Sequence, residues 1–327
     1  MIGMTHSMSL DEKVPDLDEQ SGSRFVGWMA RIGQRNWGKD PEEPEGTDYL
    51  VSLPRRVVTL WLPLLVFAIV LLFPFYWMVL TAIKPNGQLL NYDKYSPLWV
   101  HGPTLSHITH LLFHTQFLTW LGTSMFVCIL ATAISLVVSV MAAYSIQRIR
   151  FRGSAMVGNL IFLAYVVPPS ILFIPMAQVM INLGLYNSRW SLVVTYPTFL
   201  IPFCTWLLMG YFKSIPYELE EVALMDGATR FQIMRKIILP LAGPGLISAG
   251  IFAFTLSWND FLYALTFISD TDKKTVPVAT LTNLVQGDVY QWGPLMAAAL
   301  LGSIPVVIFY SFFVRHYVAG MTGAVKE

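Results

Sequence analysis

The chain has 327 residues, of which 55% are hydrophobic and 13% charged, with a formal net charge of +1; an average soluble domain is about 25% charged. Mean hydropathy is +0.56. These values exclude a disordered chain, argue against a single water-soluble domain, leave no basic excess to hold nucleic acid, and fit an integral membrane protein with several spans.

Residues 1–53 hold ten of the 20 acidic residues. The opening MIGMTHSMSLDEKVPDLDEQ has no basic stretch followed by an apolar core, so it does not read as a cleaved signal peptide. This segment is expected to be a disordered cytoplasmic tail. Within it, Arg24 to Arg35 (RFVGWMARIGQR) is a candidate basic amphipathic helix on the membrane surface.

Residues 54–327 read as the transmembrane domain, all-α, with six apolar spans at about 57–83, 118–146, 155–180, 190–212, 241–268 and 294–317. Each is long enough to cross roughly 30 Å of hydrocarbon as a helix. Barrel strands would instead alternate over about ten residues. Prolines interrupt several spans, and the Pro168–Pro169 pair is expected to kink or unwind the third. Cys128 and Cys204 both lie in apolar runs, so no disulfide framework builds the fold. With a cytoplasmic N-terminus, sixteen Lys and Arg fall on the inner side and five outside (Lys84, Lys94, Arg189, Lys273 and Lys274). The positive-inside rule then places both termini in the cytoplasm.

In the first outer loop His107, His110 and His114 fall at i, i+3 and i+7 of a short helix. That spacing is compatible with zinc, but no cysteine or acid lies nearby as a fourth ligand, and no metal is expected. In the fifth span Trp258-Asn259-Asp260-Phe261 brings together an aromatic face and polar groups. Asp260 is the one acid well inside a span. It either meets a solute or ties helices together, and the residues alone leave both open.

Between the fourth and fifth spans the chain stays polar through KSIPYELEEVALMDGATRFQIMRKIILP. Ser214 is a candidate N-cap with Pro216 in the first turn. Glu218, Glu220 and Glu221 follow near the positive helix end. Gly227 is placed to stop that helix in the left-handed conformation. Thr229 with Gln232 forms a capping-box pattern opening a second helix, and Pro240 stands at the entry to the fifth span. Ile215, Leu219, Val222 and Ala223 are expected on one face. Such a loop either docks a soluble partner or lies as an amphipathic linker on the membrane.

Glu221-Val222-Ala223, three residues, Gly227, nine residues, then Ile237-Ile238-Leu239-Pro240 resembles the EAA motif (EAA-x3-G-x9-I-x-L-P) of permease subunits of binding-protein-dependent ABC importers. The one departure is Val222 for the usual alanine. Asp226 and Ala228 around Gly227 match the family's frequent DGA. Trp258 to Phe261, Thr275-Val276-Pro277-Val278, Gln291-Trp292-Gly293 with Leu295-Met296-Ala297-Ala298, and the tail Gly320 to Lys326 are similar to the carbohydrate-uptake branch, in particular to maltose-permease G-type subunits. The tail is one residue shorter than in that pattern. The resemblance covers roughly residues 57–327.

The resemblance implies a type I importer transmembrane domain with a cytoplasmic coupling-helix loop. It would sit in a prokaryotic plasma (inner) membrane and form the path of a sugar or sugar-like solute. It also implies a second permease, two ATP-binding subunits and an extracytoplasmic solute-binding protein as partners, with ATP and magnesium bound by the ATP-binding subunits and no cofactor on this chain. Glu221, Val222, Ala223, Asp226, Gly227, Ala228, Ile237, Leu239 and Pro240 would couple to the ATPase; Trp258, Asn259, Asp260 and Phe261 are candidates for the solute path. The chain is expected not to be an enzyme: it has no G-x-x-x-x-G-K-[ST] phosphate loop, no H-E-x-x-H and no G-x-S-x-G. The alternative is an ion-coupled secondary transporter, which commonly carries several intramembrane carboxylates and inverted repeats.

Overall fold

The computed structural model describes residues 56–323 except 92, 287 and 288. The acidic tail, the candidate helix at 24–35 and the last four residues lie outside that set. The chain divides into two compact units, one ending at Leu71 and one beginning at Leu72. In the first, a π-helical turn Val57–Trp61 runs into α1 (Leu62–Ile83), whose residues from Leu72 on belong to the second; most of its side chains are apolar and exposed, while Leu80, Thr81 and Ala82 are buried.

The second unit holds the rest. α2 (Ser106–His114) precedes α3 (Phe117–Tyr144), which ends in a π-helical turn, Ser145–Ile149. The third span is two helices, α4 (Ser154–Val166) and α5 (Pro169–Asn182), bent by 94°. A residue before proline avoids the helical region. Two such residues in a row, Val167 (ψ 120) before Pro168 and Pro168 (ψ 128) before Pro169, explain the break. α6 (Arg189–Thr195) and α7 (Pro197–Ser214) make the fourth span.

The fifth span departs from the expected single run at 241–268. The chain enters through α9 (Arg230–Ile233, after α8 at Glu218–Met225), a π-helical turn and a three-residue helix, then bends by 78° into α10 (Gly243–Trp258). It breaks again after Trp258, and α11 (Leu262–Phe267) follows. Local side-chain bonds compete with the helix at this point: Asn259 Nδ2 donates to Thr255 O at 2.9 Å, and the Asp260 carboxylate caps the new helix. α12 (Val276–Leu284) and a two-residue-per-strand hairpin, the one piece of β-structure among the described residues, lead to α13 (Trp292–Gly323). Among the described residues four helices are long and apolar enough to cross a membrane, or up to six if each bent pair is one span.

The core forms where α3, α7 and α10 meet. Lipid gives helices no hydrophobic reason to associate, so close packing through small residues holds them. Ala131, Ser135, Ser139 and Ala143 recur every fourth residue on α3, all fully buried. Gly245, Ala249, Ala253 and Ser257 do the same on α10. Between them α7 presents Leu200, Cys204, Leu208 and Phe212 at the same spacing. Ser139 Oγ donates to Ile201 O at 3.1 Å, and Cys204 Sγ lies 3.8 Å from Ala249 O.

Candidate functional site

The loop between α7 and α10 is two helices around a glycine. Ser214, expected to cap the first, instead closes α7: its hydroxyl donates to Tyr211 O at 2.8 Å, Ile215 is extended, and α8 begins three residues later at Glu218. Pro216 favours this delay, because it disfavours helix at the residue before it. Gly227 has φ +83°, and the turn around it is a complete Schellman motif. Ala228 N donates to Ala223 O at 2.9 Å and Gly227 N to Leu224 O at 3.0 Å. Thr229 and Gln232 form the capping box in both directions, at 3.3 and 2.8 Å.

The apolar residues of α8 divide rather than share one face. Ile215 and Ala223 are buried, whereas Leu219, Val222 and Met225 are exposed, as is Phe231 on α9. Glu221, Asp226, Gly227 and Pro240 are also at the surface, while Ala228, Ile237 and Leu239 pack against the core. The loop thus presents an apolar patch edged by acids, a surface with which a soluble partner can pack.

What holds the loop was not anticipated. Arg148 Nε stands 3.0 Å from Glu220 Oε1, and Arg230 Nη1 lies 3.4 Å from Glu220 Oε2; the side chains are 0%, 2% and 52% exposed for Arg148, Glu220 and Arg230. Sequence patterning marks Glu220 as one of three acids in a first turn and gives no sign that it alone points inward.

At the break after Trp258, Asp260 Oδ2 accepts from Tyr196 Oη at 2.9 Å and from Ala264 N at 3.1 Å. The first bond joins the start of α7 to the start of α11. Tyr263, one turn on, donates its hydroxyl to Pro169 O at 3.1 Å, so the two broken spans touch at their breaks. Trp258 is buried, stacked on Phe254 at 5.6 Å, and Phe261 packs on the core. Asn259 is exposed. Of the four path candidates, then, Asn259 is open to a solute, Asp260 is half-buried in a structural contact, and the two rings are packed.

His107 faces inward, its Nε2 3.0 Å from Lys84 O and its ring against Gly293, where a Cβ would come within 2.5 Å. His110 and His114 are exposed with stacked rings 5.5 Å apart. Among the described residues no three His, Cys, Asp or Glu gather around one point.

Residues 135–323 match the family described as binding-protein-dependent transport system inner membrane component. The chain is 34% identical to the sulfoquinovosyl glycerol transport system permease protein of Agrobacterium fabrum, over 77% of this chain and 87% of that one. It is 35% identical to the diacetylchitobiose uptake system permease protein of Streptomyces coelicolor (78% and 92%) and 33% identical to the trehalose/maltose transport system permease protein of Thermococcus litoralis (79% and 93%). Its fold is similar to that of a chain in a bacterial ABC transporter involved in alginate import, with a TM-score of 0.69 at 23% identity, over 81% of this chain and 98% of that one.

Proposed function

Because the chain belongs to the family of binding-protein-dependent transport system inner membrane components, we propose that it is the multi-pass permease subunit of an ATP-driven importer for a sugar or sugar-like solute. The sugars and sugar derivatives in the relatives' names support that solute class. Its partners in this reading are a second permease, two ATP-binding subunits that hold ATP and magnesium, and an extracytoplasmic solute-binding protein. The lipid bilayer surrounds the spans, both termini are cytoplasmic, and residues 1–53 form a tail separate from the transmembrane domain.

The observation that carries the reading is the loop from Ile215 to Pro240. Two capped helices around a left-handed glycine offer Leu219, Val222, Met225 and Phe231 to solvent. Exposed apolar groups on a structured loop mark a place where a partner packs. Glu221, Asp226 and Gly227 edge the contact; Ala223, Ala228, Ile237 and Leu239 shape it from below; Pro240 leads it into the fifth span. ATP favours one conformation of the partner subunits over the other, and the docked loop passes that preference to the spans. The solute path runs by the broken spans, with Asn259 and Asp260 as its polar groups.

Gly227→Val and Glu221→Lys test this. Valine at φ +83° meets a Cβ clash costing about 1–2 kcal/mol, which reshapes the turn. Lysine puts a positive charge at the positive end of α8. Both variants are expected to reach the membrane in normal amounts yet lose co-purification of the ATP-binding subunits or their coupling to the spans. Normal co-purification and normal ATP-dependent uptake in both would sink the docking role. Uptake that persists under a proton uncoupler and stops on ATP depletion separates this importer from an ion-coupled transporter.

A further inference from the structure

The chain connects the loop to α7 and α10, yet its side chains bind a third helix. Gln147, Arg148 and Arg150 sit where α3 ends, in its π-helical turn and the left-handed residue that stops it. Arg148 pairs with Glu220 at 3.0 Å and donates from Nη2 to Ile215 O at 2.7 Å. The Tyr217 ring meets two guanidinium groups, 4.4 Å from that of Arg148 and 4.6 Å from that of Arg150, and its hydroxyl donates to Gln147 O. One turn back along α3, Tyr144 Oη donates to Arg230 O at 3.3 Å, which reaches the second loop helix. Arg230 closes the group on Glu220 at 3.4 Å.

The covalent joints on either side of α8 are not helical. Ile215 is extended, with ψ 128°, and Gly227 is left-handed. Rotation at those two joints would absorb a push on α8 if nothing else held it. The contacts with α3 remove that freedom. Because Arg148 and Glu220 are both buried, separating them strands two desolvated charges, whereas a surface pair would part and re-form at little cost.

We propose that the end of α3 is the clamp through which the loop's movement enters the membrane helices, with Arg148 and Glu220 as positioning residues that make loop and helix move as one body. This rests on the reading of the loop as the ATPase contact. Force then runs first into the second span, not into the fourth and fifth that the loop connects. The clamp residues lie behind the exposed patch, so breaking them should leave docking intact.

The test uses the complete complex in phosphatidylethanolamine–phosphatidylglycerol vesicles, with ATP, magnesium and vanadate as the trigger. An environment-sensitive thiol dye sits at Glu218→Cys on α8 or at Leu118→Cys at the far end of α3; both sites are exposed, and native Cys128 and Cys204 are buried. Without the clamp variants, both dyes should respond. In Glu220→Gln the ATP-binding subunits should still co-purify and the α8 dye still respond, while the α3 response falls at least about fivefold. The exchange Arg148→Glu/Glu220→Arg should restore it, and a double-mutant cycle on the α3 signal measures the coupling. If Glu220→Gln does not assemble, Arg148→Met/Glu220→Met removes both charges together and is expected to show the same selective loss. An undiminished α3 response in a variant that assembles overturns the clamp and leaves the docking reading standing. Silence of the α8 dye without any clamp variant overturns the docking reading and the clamp with it.

Discussion

Asp260 Oδ2 serves two bonds at once, one from the Tyr196 hydroxyl and one from the Ala264 amide that opens α11. An amide oxygen can take both of these bonds, and a methyl group neither. Asp260→Asn is therefore expected to melt like the parent, while Asp260→Ala should lose about 1–3 kcal/mol for the donors left unpaired, and Tyr196→Phe about 1 kcal/mol. Thermal unfolding of the detergent-solubilised complex, read by tryptophan fluorescence, checks all three. Uptake then separates the two roles left open by the sequence. Impaired uptake by a fully stable Asp260→Asn would mean contact with the solute. Parental uptake by that variant, with a destabilised Asp260→Ala, would mean that the carboxylate mends a broken helix. Asn259, exposed beside it, is the better candidate for solute contact.

At the scale of elements, the packing of α10 on α7 depends on the absence of side chains. A Cβ at Gly245 would fall 2.4 Å from the Tyr211 ring. The ring's base, not a flexible tip, is what it meets, so the helices must part. Gly245→Ala is expected to cost about 1–3 kcal/mol by overpacking, seen as a lowered midpoint in the same melt, with Tyr211→Ala on top of it restoring part of the loss. The stripes that pack this way were present in the sequence at every fourth residue. They are easy to miss there, because Ala, Ser and Gly in an apolar run change hydropathy little; apolar run lengths marked the spans and said nothing of which face packs. Gly227, Thr229 and Gln232 were legible because turn and cap chemistry is local, decided by residues three or four apart. The start of α8 was misplaced for the same reason in reverse: Ser214 has cap chemistry, but the bulk of Pro216 and the chain's route under α3 decide. The Arg148–Glu220 pair spans 72 positions, and no periodicity links its partners. The breaks inside the fifth span are not legible, because hydropathy averages across Asn259 and Asp260, whose side chains take over backbone bonds.

For the whole molecule, the proposed topology, in which the excess of Lys and Arg keeps the loop and both termini on the inner side, can be tested directly. In sealed cells a membrane-impermeant maleimide should label Lys273→Cys, in the segment between α11 and α12, and leave Glu218→Cys untouched until the membrane is opened. The reverse pattern would invert the topology and place the loop out of reach of any cytoplasmic ATPase. The helices also set how far the loop stands from the lipid. α3 with its π-helical turn has 33 residues and α13 has 32. At about 1.5 Å per residue each is close to 50 Å long, against a hydrocarbon thickness of roughly 30 Å and a total of about 40–45 Å with headgroups. Even tilted by about 20° they outreach the bilayer. On the proposed reading Arg148, at the last turn of α3, reaches the headgroup level or past it, and the loop clamped to it stands off the membrane like a post set above a floor. A soluble protein can meet that post without dipping into lipid. Its attachment should weaken with salt and change little with acyl-chain length, until the bilayer grows thick enough to submerge the post.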